Sequence, residues 1–217
     1  PKAVLLENVR GLLAPEFSSY RSQILDRLEQ LGFRGEWKLL NASDFRVPQL
    51  RPRAILVALR ADLFERFAWP EPSPIPPCTV GGALLKEMAS RGWNHVAEWA
   101  DFANGIAPTL VGGSKKHGGP DLGPTRARAA WAKLGVDGKG IADQAPDPDF
   151  VGMPRLTVRM AAIIQGFPSD WKFEGKKTAA YKQVGNAFPP PVAKAVAASI
   201  KSALVGDVEA DSDLDLQ

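Results

Sequence analysis

The chain contains one cysteine, which excludes an internal disulfide and fits a reducing cytosol. Its two histidines, His95 and His117, have no partners at ligand spacing. No zinc signature exists, and no metal is expected. No apolar run approaches the length of a membrane span, so no membrane partner is expected. No signal peptide is visible, and a cytoplasmic protein is expected. Internal repeats are absent too. Residues 205–217 lack Lys and Arg but hold Asp207, Glu209, Asp211, Asp213 and Asp215. Setting these five acids aside raises the net charge of the rest from +3 to +8. A basic body with an acidic, disordered appendage fits a polyanionic partner.

What is present reads as mixed α/β. Ala3 to Glu7 form an apolar run expected to be a buried strand. Phe17, Tyr20, Ile24, Leu28 and Leu31 fall at spacings of three and four and predict a helix over 15–31, with Gly32 as its C-cap. Strands are expected at Glu36–Leu40 and Arg53–Leu59. Strand, helix, strand, strand is what the late half of an open α/β sheet gives. A parallel sheet of these strands alone is too small to bury its faces, and a portion N-terminal to it is expected to supply the rest.

Pro-rich residues 68–82 end in Gly-Gly and mark a boundary. A short helix and an aromatic patch (Trp93, Trp99, Phe102) follow within 82–103. Residues 104–150 are Gly-, Pro- and Lys/Arg-rich and read as a small irregular domain. Helices are predicted over 155–166 and 189–204. The domain organisation read from this is 1–67 and 68–153, then 154–204 returning to the first domain, then the tail 205–217.

The run from Tyr181 to Val192 holds Gly185-Asn186 followed by Pro189-Pro190-Pro191. It reads as the opening of an Ala-rich helix, because proline is tolerated in a first turn whose N–H groups lack partners. Gly185 permits close backbone approach. Asn186 offers a donor and an acceptor. Upstream stand Arg155-Leu156-Thr157-Val158-Arg159 and Gln165-Gly166-Phe167-Pro168. Earlier come Glu7-Asn8-Val9 and Pro48-Gln49-Leu50-Arg51-Pro52-Arg53. In this order the motifs resemble the closing motifs of the cytosine-C5 DNA methyltransferases, over about residues 1–60 and 150–204.

That resemblance implies an α/β fold, the late half of a Rossmann-like methyltransferase sheet plus a small irregular target-recognition domain. It implies S-adenosylmethionine as cofactor and double-stranded DNA with a flipped cytosine as substrate. The implied reaction adds a thiolate to cytosine C6, so that C5 attacks a sulfonium methyl. Glu7 matches the catalytic glutamate, which assists by protonating or hydrogen-bonding N3. Arg51 and Arg53 match arginines that orient catalytic groups and contact the base; they alternate, so on an extended segment they face one side. Asn186 and Ala187 are implied to border the cofactor. The target-recognition region would sit where Lys115, Lys116, Arg126 and Arg128 cluster among glycines, suiting contact with a phosphate backbone. Thr109-Leu110 matches a dipeptide often seen there. Arg155–Pro168 is mostly scaffold, with Arg159 pairing an acid or a phosphate.

Two family features are absent: the Gly-rich cofactor turn and the Pro-Cys nucleophile that should precede Glu7. Cys78 follows Pro76-Pro77, but lies after the arginine motif, without the strand that should lead into the nucleophile. Thr79 beside it is a helix N-cap candidate. The expectation is a C-terminal portion of an enzyme, inactive alone, whose nucleophile comes from a missing N-terminal segment or a complementary subunit. The alternative is a DNA-binding accessory subunit or degenerate methyltransferase without catalysis.

Overall fold

The computed structural model describes residues 1–112 and 120–205. Lys115, Lys116, His117 and the acidic tail from 206 onward lie outside the described residues. The chain divides into two compact units. One comprises residues 1–41 and 52–72 with the chain from Val192 onward; the other comprises 42–51 and 73–191.

The first unit is built on a sheet of β1 (Ala3–Val9), β2 (Phe33–Asn41) and β3 (Pro52–Arg60). The strand order is β1-β3-β2, and β3 runs antiparallel to both neighbours. The sheet is therefore not the parallel one anticipated. The reason is local: a parallel crossover needs a dozen or more residues, usually a helix. The 42–51 link between β2 and β3 is shorter than that and carries only a 3₁₀ turn, Ala42–Phe45. The β1-to-β2 connection does hold a helix, α1 (Ser18–Gln30), which packs against β2.

Central strand β3 reads Ala54-Ile55-Leu56-Val57-Ala58-Leu59, and every one of these residues is buried. A continuous apolar run suits a strand covered on both faces. The similar run on β1 was expected to be buried and is not. Edge strand β1 leaves Leu5 and Leu6 38% and 40% exposed. No residue of α1 is buried, and Phe17, Tyr20 and Leu31 of the predicted stripe are exposed. A short helix, α2 (Ala61–Phe64), follows β3.

The second unit is helical: α3 (Val80–Met88), α4 (Val96–Phe102), α5 (Thr125–Ala132), α6 (Val158–Ile164) and α7 (Lys177–Asn186). Its core gathers Leu84, Met88, Trp131, Leu156, Met160 and Tyr181. Thr79 caps α3 by accepting from the Gly82 amide at 3.2 Å, as its position suggested. Thr157, placed inside the predicted 155–166 helix, instead caps α6, accepting from the Met160 amide at 3.2 Å. The predicted 155–166 helix therefore starts only at Val158.

The expected return at 154 is placed differently. Leu156, Met160 and Ile164 bury their side chains in the second unit's core, so α6 and α7 belong there. Only α8 (Pro190–Val205) contributes residues to the first unit, from Val192 on. The 181–192 run is also corrected. Tyr181 to Asn186 complete α7 rather than open a helix, while Pro190 and Pro191 do occupy the first turn of α8. Ala180, Tyr181 and Val184, buried at spacings of one and three, were the periodic signal for α7.

A carboxylate held by arginine, and a buried polar latch

Backbone register brings Glu7 and Arg53 together. Val9 of β1 lies opposite Arg53 of β3, and Glu7 is two residues back along β1. It therefore shares Arg53's face as a diagonal cross-strand neighbour, within reach of long side chains. Arg53 Nε donates to Glu7 Oε1 at 2.7 Å. Exposure is only 12% for the Arg53 side chain and 26% for Glu7. Burial pulls the Arg53 guanidinium below its ordinary pKa, and the charge and hydrogen bond of Glu7 oppose that fall. A second nitrogen, Nη1, donates to the carbonyl of Pro52 at 2.9 Å. One carboxylate oxygen is thus fixed by arginine at the C-terminal half of a strand. Such a carboxyl group can hold or exchange a proton with a ring nitrogen placed against it.

Arg51 has a different environment. Its side chain is 1% exposed, within the second unit. Nη1 donates to the Leu110 carbonyl at 2.6 Å, and Nη2 donates to the carbonyls of Gly185 at 2.8 Å and Ala187 at 3.0 Å. The guanidinium clamps backbone: one loop at 110 and the end of α7.

Gln49 and Gln165 complete this clamp, and both are fully buried. Gln49 Nε2 donates to Gln165 Oε1 at 2.5 Å, and Gln49 Oε1 accepts from the Leu110 amide at 2.8 Å. Gln165 Nε2 donates to the Ala187 carbonyl at 2.8 Å. Ala187 O therefore accepts from both Arg51 and Gln165. Beside the glutamines, residues 48–50 run alongside 107–109, with Ala107 N donating to Pro48 O at 3.0 Å and Leu50 N to Ala107 O at 2.8 Å. Thr109 Oγ1 donates to the Leu50 carbonyl at 2.6 Å. Buried polar groups of this kind are stable only when each finds a partner. The role of Gln165 was missed from sequence; its signal was a polar residue directly after the apolar run Met160–Ile164.

Asn186 is exposed at the C-terminal end of α7, beside Gly112. Among the described residues, its amide makes no hydrogen bond, leaving a donor and an acceptor for a ligand. Its neighbours' carbonyls, at 185 and 187, are already engaged by the latch.

The basic residues proposed for nucleic acid divide. Arg126 of α5 is exposed. Arg128 is half-buried, its stem against Gly138, with Nη2 donating to Thr125 Oγ1 at 3.3 Å. Arg159 pairs with Glu87 at 3.6 Å. It lines a cleft of about 400 Å³ in which Lys177 also pairs with Asp143, at 2.9 Å, so that cleft has no strong preference for one charge. Cys78 is exposed, just before the α3 cap. Among the described residues, no cluster of His, Cys, Asp and Glu is arranged to hold a metal ion, and no helix is long and apolar enough to cross a membrane.

Comparison with known proteins gives the same direction. Residues 1–202 match the family described as C-5 cytosine-specific DNA methylase. The chain is 57% identical over 207 residues to Type II methyltransferase M.NaeI of Lentzea aerocolonigenes, covering 94% of this chain and 50% of that protein. It is 49% identical to Type II methyltransferase M.NgoMIV of Neisseria gonorrhoeae, covering 94% and 65%. The chain thus spans about half to two-thirds of the length of these relatives. Among solved structures, the Entamoeba histolytica methyltransferase EhMeth superimposes with a TM-score of 0.58 at 12% identity, covering 95% of this chain and 64% of that one. The S. pombe Dnmt2 methyltransferase gives 0.56 at 15% identity, covering 94% and 67%. At such identities the likeness establishes the fold.

Proposed function

The chain belongs to the C-5 cytosine-specific DNA methylase family, and from that premise we propose that it is the C-terminal portion of an enzyme methylating C5 of a flipped cytosine in duplex DNA. The observation that carries this reading is the Glu7–Arg53 pair, a carboxyl group held at 2.7 Å by a largely buried guanidinium. Glu7 hydrogen-bonds or protonates the N3 edge of the cytosine. Arg53 holds the Glu7 carboxylate in place. Arg51 acts through others: it is a positioning residue that fixes the 185–187 turn and the loop at Leu110.

S-adenosylmethionine, when bound, supplies an electrophilic methyl group. The residues here fit one border of such a site, because Asn186 offers an exposed, uncommitted amide on a rigidly held turn. Arg126 contributes to the grip on DNA, together with Lys115 and Lys116. Arg128 does so less, since its stem is packed under Gly138. The thiol that adds to C6 comes from a segment outside this sequence. The open edge of β1 and the exposed Leu5 and Leu6 support a further strand and layer on that side.

The test combines this chain with a segment carrying a Pro-Cys motif and a Gly-rich cofactor loop, then follows labelled methyl transfer from S-adenosylmethionine to duplex DNA. Transfer is expected only from the mixture. DNA binding with no transfer from a matched mixture would instead favour a non-catalytic binding subunit.

A further inference from the structure

Arg46 is the one non-glycine residue among those described with a positive φ, at 65°. That region brings Cβ against the neighbouring carbonyl, and an arginine has no local hydrogen bond to offset it. The backbone forces the conformation. Ala42–Phe45 is a 3₁₀ turn, and it closes with the Arg46 amide on the Ser43 carbonyl and the Val47 amide on the Ala42 carbonyl, both at 3.2 Å. Both flanks are anchored: Phe45 and Val47 are buried, and Gln49 begins the latch. Glycine is the residue this geometry favours. Arginine stands there with its side chain exposed. Among the described residues its guanidinium makes no ion pair, hydrogen bond or ring contact, although exposed Asp44 is two positions away. The fold therefore bears a strained residue whose charged group does nothing for the fold.

We propose that Arg46 is a phosphate contact to the DNA backbone, mounted on a rigid turn directly ahead of the Gln49–Arg53 segment. This rests on the DNA reading above. A fixed pedestal removes much of the ordering cost that a flexible loop arginine bears on binding. Guanidinium geometry suits two phosphate oxygens at once. The contact carries no base information and adds to affinity by counterion release.

The test measures affinity of the full chain for a duplex oligonucleotide of arbitrary sequence across a salt series, with thermal unfolding alongside. One phosphate contact corresponds to about 0.9 in the slope of log affinity against log salt, or about eightfold in affinity at 0.1 M salt. Arg46→Gly and Arg46→Ala should each lose that slope and affinity, while Arg46→Lys keeps most of both. Arg46→Gly should melt at or above the wild-type temperature, which separates lost contact from lost fold. Wild-type binding with an unchanged slope in Arg46→Gly overturns the assignment alone. Absence of any salt-dependent binding by the wild type overturns the DNA reading, and this assignment with it.

Discussion

Asn186 fills the space that a side chain on Gly112 would need. A Cβ on Gly112 would lie 2.3 Å from Asn186 Oδ1, and a Cβ on Gly185 would lie 2.6 Å from Gly112 Cα. Two glycines thus let the end of α7 close against the 110–112 loop, while Arg51 ties both together through the carbonyls of Leu110, Gly185 and Ala187. A border of the proposed cofactor site and the approach to the proposed recognition region share one small set of contacts.

Gly112→Ala and Gly185→Ala should differ. At Gly112 the obstacle is the end of a side chain, which can rotate away, so the cost is about 1 kcal/mol, and Asn186→Ala in the same chain should recover it. At Gly185 the obstacles are Gly112 Cα and the Val111 carbonyl, both backbone. There the cost should reach about 3 kcal/mol, and Asn186→Ala should not relieve it. Denaturant unfolding of the single and double variants measures both.

Arg51 and Arg53 should separate stability from chemistry. Arg51→Met removes a buried cation from three carbonyls and should cost about 3 kcal/mol or more. Arg53→Met leaves a partly exposed Glu7 and should cost about 1 kcal/mol. In the restored enzyme the second change should lower kcat with little change in the melting temperature. If Arg53→Met proved the more destabilising, the division of roles would be wrong.

Glu7→Gln keeps size and a hydrogen-bonding group but cannot deliver the proton. In the proposed mixture with a segment carrying a Pro-Cys motif and a Gly-rich cofactor loop, kcat should fall about a hundredfold or more, with KM for DNA nearly unchanged. A loss of less than about threefold would remove Glu7 from proton transfer.

Asp137 provides a pH-dependent test outside the proposed active site. Burial pushes its carboxyl upward, but the Arg155 hydrogen bond at 2.8 Å, the Lys139 amide, and the charges of Arg155 and Lys139 outweigh that and hold its pKa below the ordinary value. A depressed carboxylate pKa stabilises the fold above the unfolded-state pKa, and the contribution disappears as pH falls through the folded-state value. The stability gap between wild type and Asp137→Asn should therefore be present at neutral pH and close in acid. A gap that stayed constant from neutral pH down through the acid range would show that ionisation of Asp137 plays no part.

Local sequence located β3 by its continuous apolar run, α1 by apolar residues at spacings of three and four, and α8 by an Ala-rich segment opened by prolines. Helix α5 was hidden within a basic segment of weak amphipathicity, where Trp131 supplies its buried contact. Helix α7 was obscured because the run from Tyr181 onward reads as the opening of the next helix and not as the end of this one. Gly185 tolerates a helical position there because the helix must touch another backbone at that point. The apolar run of β1 and the apolar stripe of α1 predicted burial, yet Leu5, Leu6, Phe17 and Tyr20 are exposed, because spacing identifies an apolar face and not what packs on it.

Sequence alone determined the family, the order of its motifs and the candidate acid, since these depend on residue identity and spacing along the chain. Tertiary structure decided what each candidate touches. Arg51 and Arg53 stand two residues apart with identical chemistry, yet one clamps a carbonyl 134 positions away and the other holds Glu7 across a strand pair. A guanidinium takes its role from the acceptors around it, and folding brings those acceptors from distant parts of the chain.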